Sequence, residues 1–402
     1  MDNRRYYGLD ALRGSLMMLG IVLHAAMFYV ADPPIPIPTD RNTSYVFDVL
    51  LFFIHSFRMQ AFFVLAGFFA ALLVARRGVR ETLVDRAKRI LAPMAAAAVT
   101  ILPVAGLLAA DFGLSARFGT HDFIPDLNAL KILGKELVAN GIAIDQPSLG
   151  HLWFLEYLCL LYLLLPFCRW LVEKSSSVEA SINRILKSPF VILVFGLYTA
   201  AISWPYLGGQ LLLENTLLMP HWPSLLYFGS FFVLGYLMHS YIDFLATLAR
   251  GVYGWAALAL LLVPLAGAAS LQDIKTHGQS FEVHLAAVLG NGLFTWSLIF
   301  LFIGCAMRFF DRDSPWIQYA AQSAYWVYLI HLPLVTFAAW WLIQYDLPAV
   351  VKFIINCGFT VIVSLLTFHY WVQKTWISDF LHGRRFDLRW PWQSVRRTAS
   401  TN

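Results

Sequence analysis

Long apolar runs, each interrupted by polar or proline-containing residues, recur along the whole chain. Ten can be placed, at roughly 9–30, 45–75, 90–110, 149–172, 189–206, 222–240, 251–271, 283–309, 321–344 and 349–371. Runs near ~20 residues are what a ~30 Å hydrocarbon core requires of a helix. The first stops at ADPPIPIPTDRNTS, where proline and polar residues end a helix. The longest connection, about 111–148, contains the helix-like DLNALKILGKELVAN, which suits a helix on the interface or capping the bundle. The pattern predicts an all-α fold: a polytopic transmembrane helical bundle of about ten spans. One membrane-embedded domain is expected over 1–380, followed by a basic tail over 381–402 whose RRFDLRWPWQSVRR suits an anionic leaflet.

Basic residues orient the bundle. With the N-terminus in the cytoplasm, 21 lysines and arginines fall on the cytoplasmic side and 5 on the outer side. That bias predicts both termini inside and an even number of spans. Arg13, Arg58 and Lys352 fall within helices. The N-terminus has a basic start followed by an apolar stretch, as a signal peptide does. However, Asp10 and Arg13 enter the run and it extends to about Tyr29, so an uncleaved first helix is expected.

Composition agrees: 59% hydrophobic, 13% charged, mean hydropathy +0.64. Soluble domains average roughly a quarter charged residues. The positive-inside rule suffices for the +5 net charge, and no nucleic-acid partner is expected. None of Cys159, Cys168, Cys305 and Cys357 sits in a CxxC, so neither a disulfide nor a cysteine-bound metal is expected. No internal repeat of the kind common in secondary transporters is visible.

Ionisable groups inside a membrane cost ~2.5–3.5 kcal/mol or more and mark functional sites. In RGSLMMLGIVLH, Arg13 and His24 are eleven residues apart. That separation is about 20° past three helical turns, so both share one face, ~16 Å apart along the axis. Asp10, one turn before Arg13, can pair with it. The second run places His55 and Arg58 one helical turn apart, facing the same polar cavity. Arg76, Arg77 and Arg80 read as a positive-inside cluster. Arg86 and Arg89 have two readings, the same cluster or two guanidiniums on one face that bind an anion.

In PSLGHLWFLEYL, His151 and Trp153 fall near the outer surface, where an aromatic belt is ordinary. Glu156 lies deeper and is expected to orient an imidazole or pair Arg58. Tyr325, Tyr328 and His331 are spaced by threes along one face. His331 alone reads as a core histidine; beside His24 and His55 it reads as part of a shared site. His284 and His369 read as structural or interfacial. No HExxH, GxSxG, P-loop or GxGxxG pattern is present, and no metal is expected.

Arg13-x10-His24, AFFVLAGFF from Ala61, RAKR over Arg86–Arg89, GHLWFL from Gly150 and SAYWVYLIH over Ser323–His331 together resemble the signature of the family-three membrane acyltransferases. The matched motifs run in order over about 10–331. Ala66 departs from the serine that many members carry before the glycine. YGLDALRGSLMMLGIVLHAAMFY followed by FFIHSFRMQAFFVLAGFF looks most like the periplasmic, osmoregulated glucan succinyltransferases.

The resemblance implies a multi-pass protein of the bacterial inner membrane that moves acyl groups from a cytoplasmic donor to hydroxyls of glycans. It implies a catalytic His24 with Arg13 as its basic partner, joined here by Asp10, and an arginine pair at Arg86 and Arg89. The implied co-substrate is an acyl-coenzyme A, succinyl-coenzyme A or alternatively acetyl-coenzyme A, with no permanently bound cofactor. The implied partners are the lipid bilayer and a glucan or other glycan acceptor.

A hydroxyl needs a base at the moment of attack, and neutral imidazole suits that role. Arg13, Arg86 and Arg89 are expected to hold the anionic end of the coenzyme. Arg58, with His55 as an alternative, is expected to meet the succinyl carboxylate, because a buried charge needs a counter-ion. His151, Trp153, Glu156, Tyr328 and His331 complete the expected substrate site. Two further readings remain open: an O-acetyltransferase acting on a cell-surface polysaccharide or lipid headgroup, and a proton-coupled transporter using intramembrane charges. The sequence leaves the oligomeric state open.

Overall fold

The apolar runs fold as helices, and the breaks between them decide where the polar residues point. The computed structural model describes residues 5–33, 37–119, 121, 127–139, 147–174, 184–188, 190–208, 216–386 and 390–391. In chain order the helices are α1 (Tyr7–Ala26), α2 (Tyr45–His55), α3 (Arg58–Arg77), α4 (Val79–Arg86), α5 (Ala92–Phe118), α6 (Leu127–Ala139), α7 (Trp153–Tyr162) and α8 (Leu165–Lys174). They continue with α9 (Val191–Ser203), α10 (Trp222–Met238), α11 (Asp243–Arg250), α12 (Val252–Lys275), α13 (Phe281–Phe309), α14 (Pro315–Leu342), α15 (Ala349–Thr367) and α16 (Trp376–His382). Among the described residues there is no strand, only an isolated bridge between Ser148 and Leu217.

Among the described residues the ten apolar runs fall on seven helical stretches long and apolar enough to cross a membrane, two bent pairs and one short helix, α9. The bent pairs are α7–α8, at 50°, and α10–α11, at 101°. The first bend falls at Leu163–Leu164, and Pro166, in the first turn of α8, has no N–H to offer the Tyr162 carbonyl at the end of α7. Of the long connection, 127–139 forms the expected helix α6, joined to α5 by an Arg117–Glu136 ion pair at 3.2 Å. The rest of the basic tail, 387–389 and 392–402, lies outside the described residues.

The second run is not one regular helix. Expected one turn apart on a single face, His55 ends α2 and Arg58 begins α3, with a non-helical Phe57 between them (φ −142°, ψ −24°). Phe57 stacks on Phe302 of α13 with centroids 4.5 Å apart. The Ser56 carbonyl freed by the break accepts the Thr295 hydroxyl at 2.6 Å. Tertiary contacts with α13 thus overrule local helix continuity and re-aim Arg58.

Burial separates the centre of the bundle from its rim. In the α2–α3 stretch 78% of the apolar window is buried inside the protein, against 22% in α12. The rim helices expose large side chains, among them Val99, Leu260 and Leu261, as lipid-facing helices do. At the centre α3 and α10 approach backbone to backbone. A Cβ on Gly67 would lie 1.9 Å from the Phe232 carbonyl oxygen, and one on Gly235 would lie 1.9 Å from that of Val64. Only glycine allows such an approach, the packing device of membrane helices that have no hydrophobic effect to join them.

The α1–α2 connection is pinned by a wholly buried ion pair. Lys352 of α15 donates to both oxygens of Asp40, at 2.8 and 2.9 Å, and neither side chain is exposed. This accounts for Lys352 within an apolar run. The composition and helical architecture are those of a multi-pass membrane protein.

Candidate active site

Four helices, α1, α3, α7 and α14, carry the polar residues that the apolar pattern does not explain. α1 and α14 run parallel: Gly14 meets Ala320 and Ala321, and six residues on Gly20 meets His331. α3 runs the other way, with Arg58 at Gly20 and Arg76 and Arg77 beside Arg5 and Arg13.

At the end of the bundle holding the start of α1 lies a cavity of about 850 Å³. Seven arginines and two carboxylates line it: Arg5, Arg13, Arg76, Arg77, Arg86, Arg89 and Arg384 with Asp10 and Asp85. The expected Asp10–Arg13 pair forms at 3.1 Å, and Arg5 binds the other oxygen of Asp10 at 3.1 Å. Arg13 also lies over the Phe69 ring, 5.1 Å from its centroid. Arg86 and Arg89 both turn to Asp85, through Nε at 3.0 and 2.6 Å.

The two do not share a regular α-helix. α4 ends at Arg86 and a π-turn spans Ala87–Leu91. Such bulges are frequent at functional sites because they re-aim side chains. Asp85 was missed in the sequence, although its i, i+4 spacing to Arg89 was a readable signal. Ala66, the departure from the family pattern, also lines the cavity.

On α1, α3 and α14, and at the start of α7 where the turn Gly150–Leu152 leads in, the cavity stops one to two turns short of a second cluster. It reaches Met17 on α1, Phe62 on α3, Phe154 on α7 and Ala324–Tyr325 on α14. Next come Gly20 and His24, Arg58, His151, and Tyr328 with His331. Phe62 and Phe154, with centroids 4.7 Å apart, stand between the two.

His24 is half-buried and its ring centroid lies 5.1 Å from that of His331. His331 lies 5.2 Å from His151. The charge-bearing groups acting on His24 are His331, Arg58, His151 and His55. Among the described residues no carboxylate pairs with His24. A Cβ on Gly20 would come 2.9 Å from Arg58 Nη1, so the glycine leaves the path by which the guanidinium reaches the histidines.

Backbone carbonyls of α14 fix the tautomers of two rings. His331 Nδ1 lies 2.6 Å from the Tyr328 carbonyl oxygen and so carries the proton as donor. His151 Nε2 does the same to the Leu329 carbonyl at 3.2 Å. That carbonyl is available because Pro333, four residues on, has no N–H to offer it. The Tyr328 hydroxyl donates to the His151 carbonyl at 2.5 Å. The remaining nitrogens, His331 Nε2 and His151 Nδ1, are buried lone pairs without a hydrogen-bond partner among the described residues.

Several placements differ from the sequence reading. His151 is not in an interfacial belt; the freed Leu329 carbonyl draws it into the cluster. Trp153 is a core residue, packed on Tyr157 and Phe228 with centroids 5.3 Å away. Glu156 forms no ion pair with Arg58, and its Oε2 is buried without a hydrogen-bond partner among the described residues. Tyr325 lines the cavity and donates to the Arg89 carbonyl at 3.1 Å, while Tyr328 and His331, on the same face, continue into the cluster. Arg76 and Arg77, read as a topology signal, stand in the cavity wall.

The site is thus a basic cavity set end to end with buried imidazoles, one suited to an anion and the other to moving a proton. Comparison with known proteins gives the same direction. Residues 6–369 match the family described as an acyltransferase domain. Among curated proteins, the chain is similar to glucans biosynthesis protein C of Escherichia coli strain SMS-3-5 / SECEC, 25% identical over 358 residues, covering 83% of each chain. It is equally similar to the protein of that name from Escherichia coli strain K12, 25% identical over 350 residues and 83% of each chain. No solved structure matches. A match over residues 6–369, which includes α1, α3, α7 and α14, places the chain in the acyltransferase-domain family.

Proposed function

We propose that the protein is a membrane O-acyltransferase of the bacterial inner membrane. It moves a succinyl group from cytoplasmic succinyl-coenzyme A to hydroxyls of a periplasmic glucan, with His24 as general base. The observation that carries this reading is the end-to-end arrangement: an arginine-lined cavity that stops one to two turns short of the cluster formed by His24, Arg58, His151 and His331. The glucan acceptor rests on the names of the relatives in Escherichia coli. In this reading the bundle crosses the membrane ten times with both ends inside, so the cavity opens to the cytoplasm.

Arg13, Arg86 and Arg89 hold the phosphates of the coenzyme, and its long arm carries the thioester past Phe62 and Phe154 to the histidines. The acceptor hydroxyl arrives from the other side. Its oxygen attacks the thioester carbonyl, His24 takes the hydroxyl proton, and the carbon–sulfur bond breaks. The proton then passes to the leaving thiolate, giving free coenzyme A and the succinyl ester. The fixed lone pair of His331 offers a second acceptor that orients the hydroxyl. Arg58, beside both rings, meets the far carboxylate of the succinyl group, a charge that acetyl lacks.

The test supplies purified protein in nanodiscs with succinyl- or acetyl-coenzyme A and a β-glucan, and reads acylated glucan by mass spectrometry. Succinylated product from wild type, falling at least about 10²-fold in His24→Ala, is the expected result. Acetylated product alone overturns the donor. Undiminished transfer by His24→Ala overturns the base.

A further inference from the structure

The sequence places a basic tail from residue 381, and in the structure Leu381, His382, Gly383, Arg384 and Phe386 line the wall of the cavity. Leu381 and Phe386 are buried, and the Phe386 N–H donates to the Gln373 carbonyl at 2.8 Å. The Ser378 hydroxyl holds the Arg384 carbonyl at 2.8 Å. Between these anchors the chain turns at Gly383, φ +68°. A Cβ there would lie 2.1 Å from Nη2 of Arg89, so the guanidinium occupies the space that the glycine leaves. Both the left-handed backbone and the contact require glycine.

The turn sorts its cations. Arg385 points away and pairs with Asp379 at 2.6 Å. Arg384 lines the cavity and lies over the Phe386 ring, 5.0 Å from its centroid. The two cavity carboxylates are already engaged: Asp10 by Arg5 and Arg13, Asp85 by Arg77, Arg86 and Arg89. Among the described residues Arg384 has no carboxylate partner. His382 lines the same wall, edge-on to Phe386, and its buried Nε2 has no hydrogen-bond partner among the described residues.

We propose that the turn His382–Gly383–Arg384, together with Arg89, is a binding site for a phosphate group of a phosphorylated, nucleotide-like co-substrate. This rests on the reading of the cavity as the acyl-coenzyme A site and adds residues of the C-terminal segment to it. The glycine brings Arg89 against the turn, so one phosphate can meet Arg89, Arg384 and the His382 ring together. Seven arginines against two carboxylates leave the cavity wall with an excess of positive charge that an entering anion neutralises.

The experiment titrates the full chain in nanodiscs with coenzyme A and, separately, with inorganic pyrophosphate, by calorimetry. Variants are Arg384→Gln, His382→Gln and, as a charge-matched control, Arg385→Gln, each first shown to be folded by its thermal transition. The expected result is a coenzyme A Kd raised about tenfold, the size of one charged contact, in Arg384→Gln, and raised severalfold in His382→Gln. Arg385→Gln should stay near wild type. Equal coenzyme A binding by wild type, Arg384→Gln and His382→Gln overturns the turn as a phosphate site while leaving the cavity as the donor site. Pyrophosphate binding with the same residue dependence but no coenzyme A binding keeps the turn and overturns the donor. Absence of binding by either probe overturns the turn, and the donor is then judged by acyl transfer alone.

Discussion

His284 and the His24–His151–His331 cluster are all imidazoles within one bundle, wired in opposite ways. His284 has both nitrogens engaged, Nδ1 with Asp273 at 3.0 and 3.1 Å and Nε2 with the Trp204 carbonyl at 2.7 Å. Asp273 in turn accepts the Gly208 N–H at 2.8 Å, and Asn291 donates to the Gly208 carbonyl at 3.1 Å. This network ties α12, α13 and the chain after α9 together. His151 and His331 each spend one nitrogen on a backbone carbonyl and keep the other bare. Leaving a buried polar atom unmatched costs about 1–3 kcal/mol. That cost recurs on adjacent rings, as the proposed role of the cluster in holding a substrate hydroxyl requires. In the proposed function the saturated histidine is structural and the half-saturated pair chemical.

The contrast breaks most visibly at His331. His331→Phe keeps the ring volume and removes the lone pair. The expected outcome is a fall in turnover of about 10²-fold with coenzyme A affinity unchanged, measured by acyl transfer and by calorimetry on one preparation. A fall in stability with normal turnover per folded molecule would make His331 a core histidine after all.

The same substitution at His284 should do the reverse. His284→Phe leaves the buried Asp273 carboxylate with the Gly208 N–H but without its imidazole. A loss of about 1.5–3 kcal/mol is expected, the range for hydrogen bonds to charged groups, seen as a lower thermal midpoint. Acyl transfer by the protein that remains folded should stay within about twofold of wild type, because no residue of the cavity wall or the histidine cluster touches this network.

Apolar periodicity made the helices legible, and with them the Asp10–Arg13 pair and the shared face of Arg13 and His24. Those relations live within one helix, where spacing fixes direction. The break between His55 and Arg58 was not legible, because Phe57 is an ordinary apolar residue and the force that turns the chain is its contact with Phe302 on α13. His151 was legible only in half. The His331-Leu332-Pro333 sequence says that the Leu329 carbonyl is orphaned, but not which donor crosses the bundle to it. The C-terminal turn carried one signal, the glycine in FLHGRR, a helix terminator by type. That Gly383 also makes room for Arg89, nearly three hundred residues earlier, is a fact of tertiary packing alone.

The smallest effect sharpens the comparison from the binding end. The His382 imidazole is pushed down to about 4 by burial and by the guanidiniums of Arg13, Arg384 and Arg89, against an ordinary value near 6.5. It faces Arg13 on α1, Arg89 in the π-turn and Arg384 on its own segment, with Tyr325 of α14 at a ring distance of 6.2 Å. In the empty cavity it is therefore neutral at pH 6. A bound phosphate offsets those guanidiniums and raises the imidazole toward its ordinary range, so binding draws in a proton. Coenzyme A affinity should gain as pH falls from about 7 to about 5 and level off near 4, where the empty protein is protonated as well. Phosphate groups titrate near pH 6 themselves and act in the opposite direction. The readout is therefore the difference between wild type and His382→Gln across that window. A pH profile identical in the two would remove the imidazole from the phosphate site and leave the arginines to hold the anion alone.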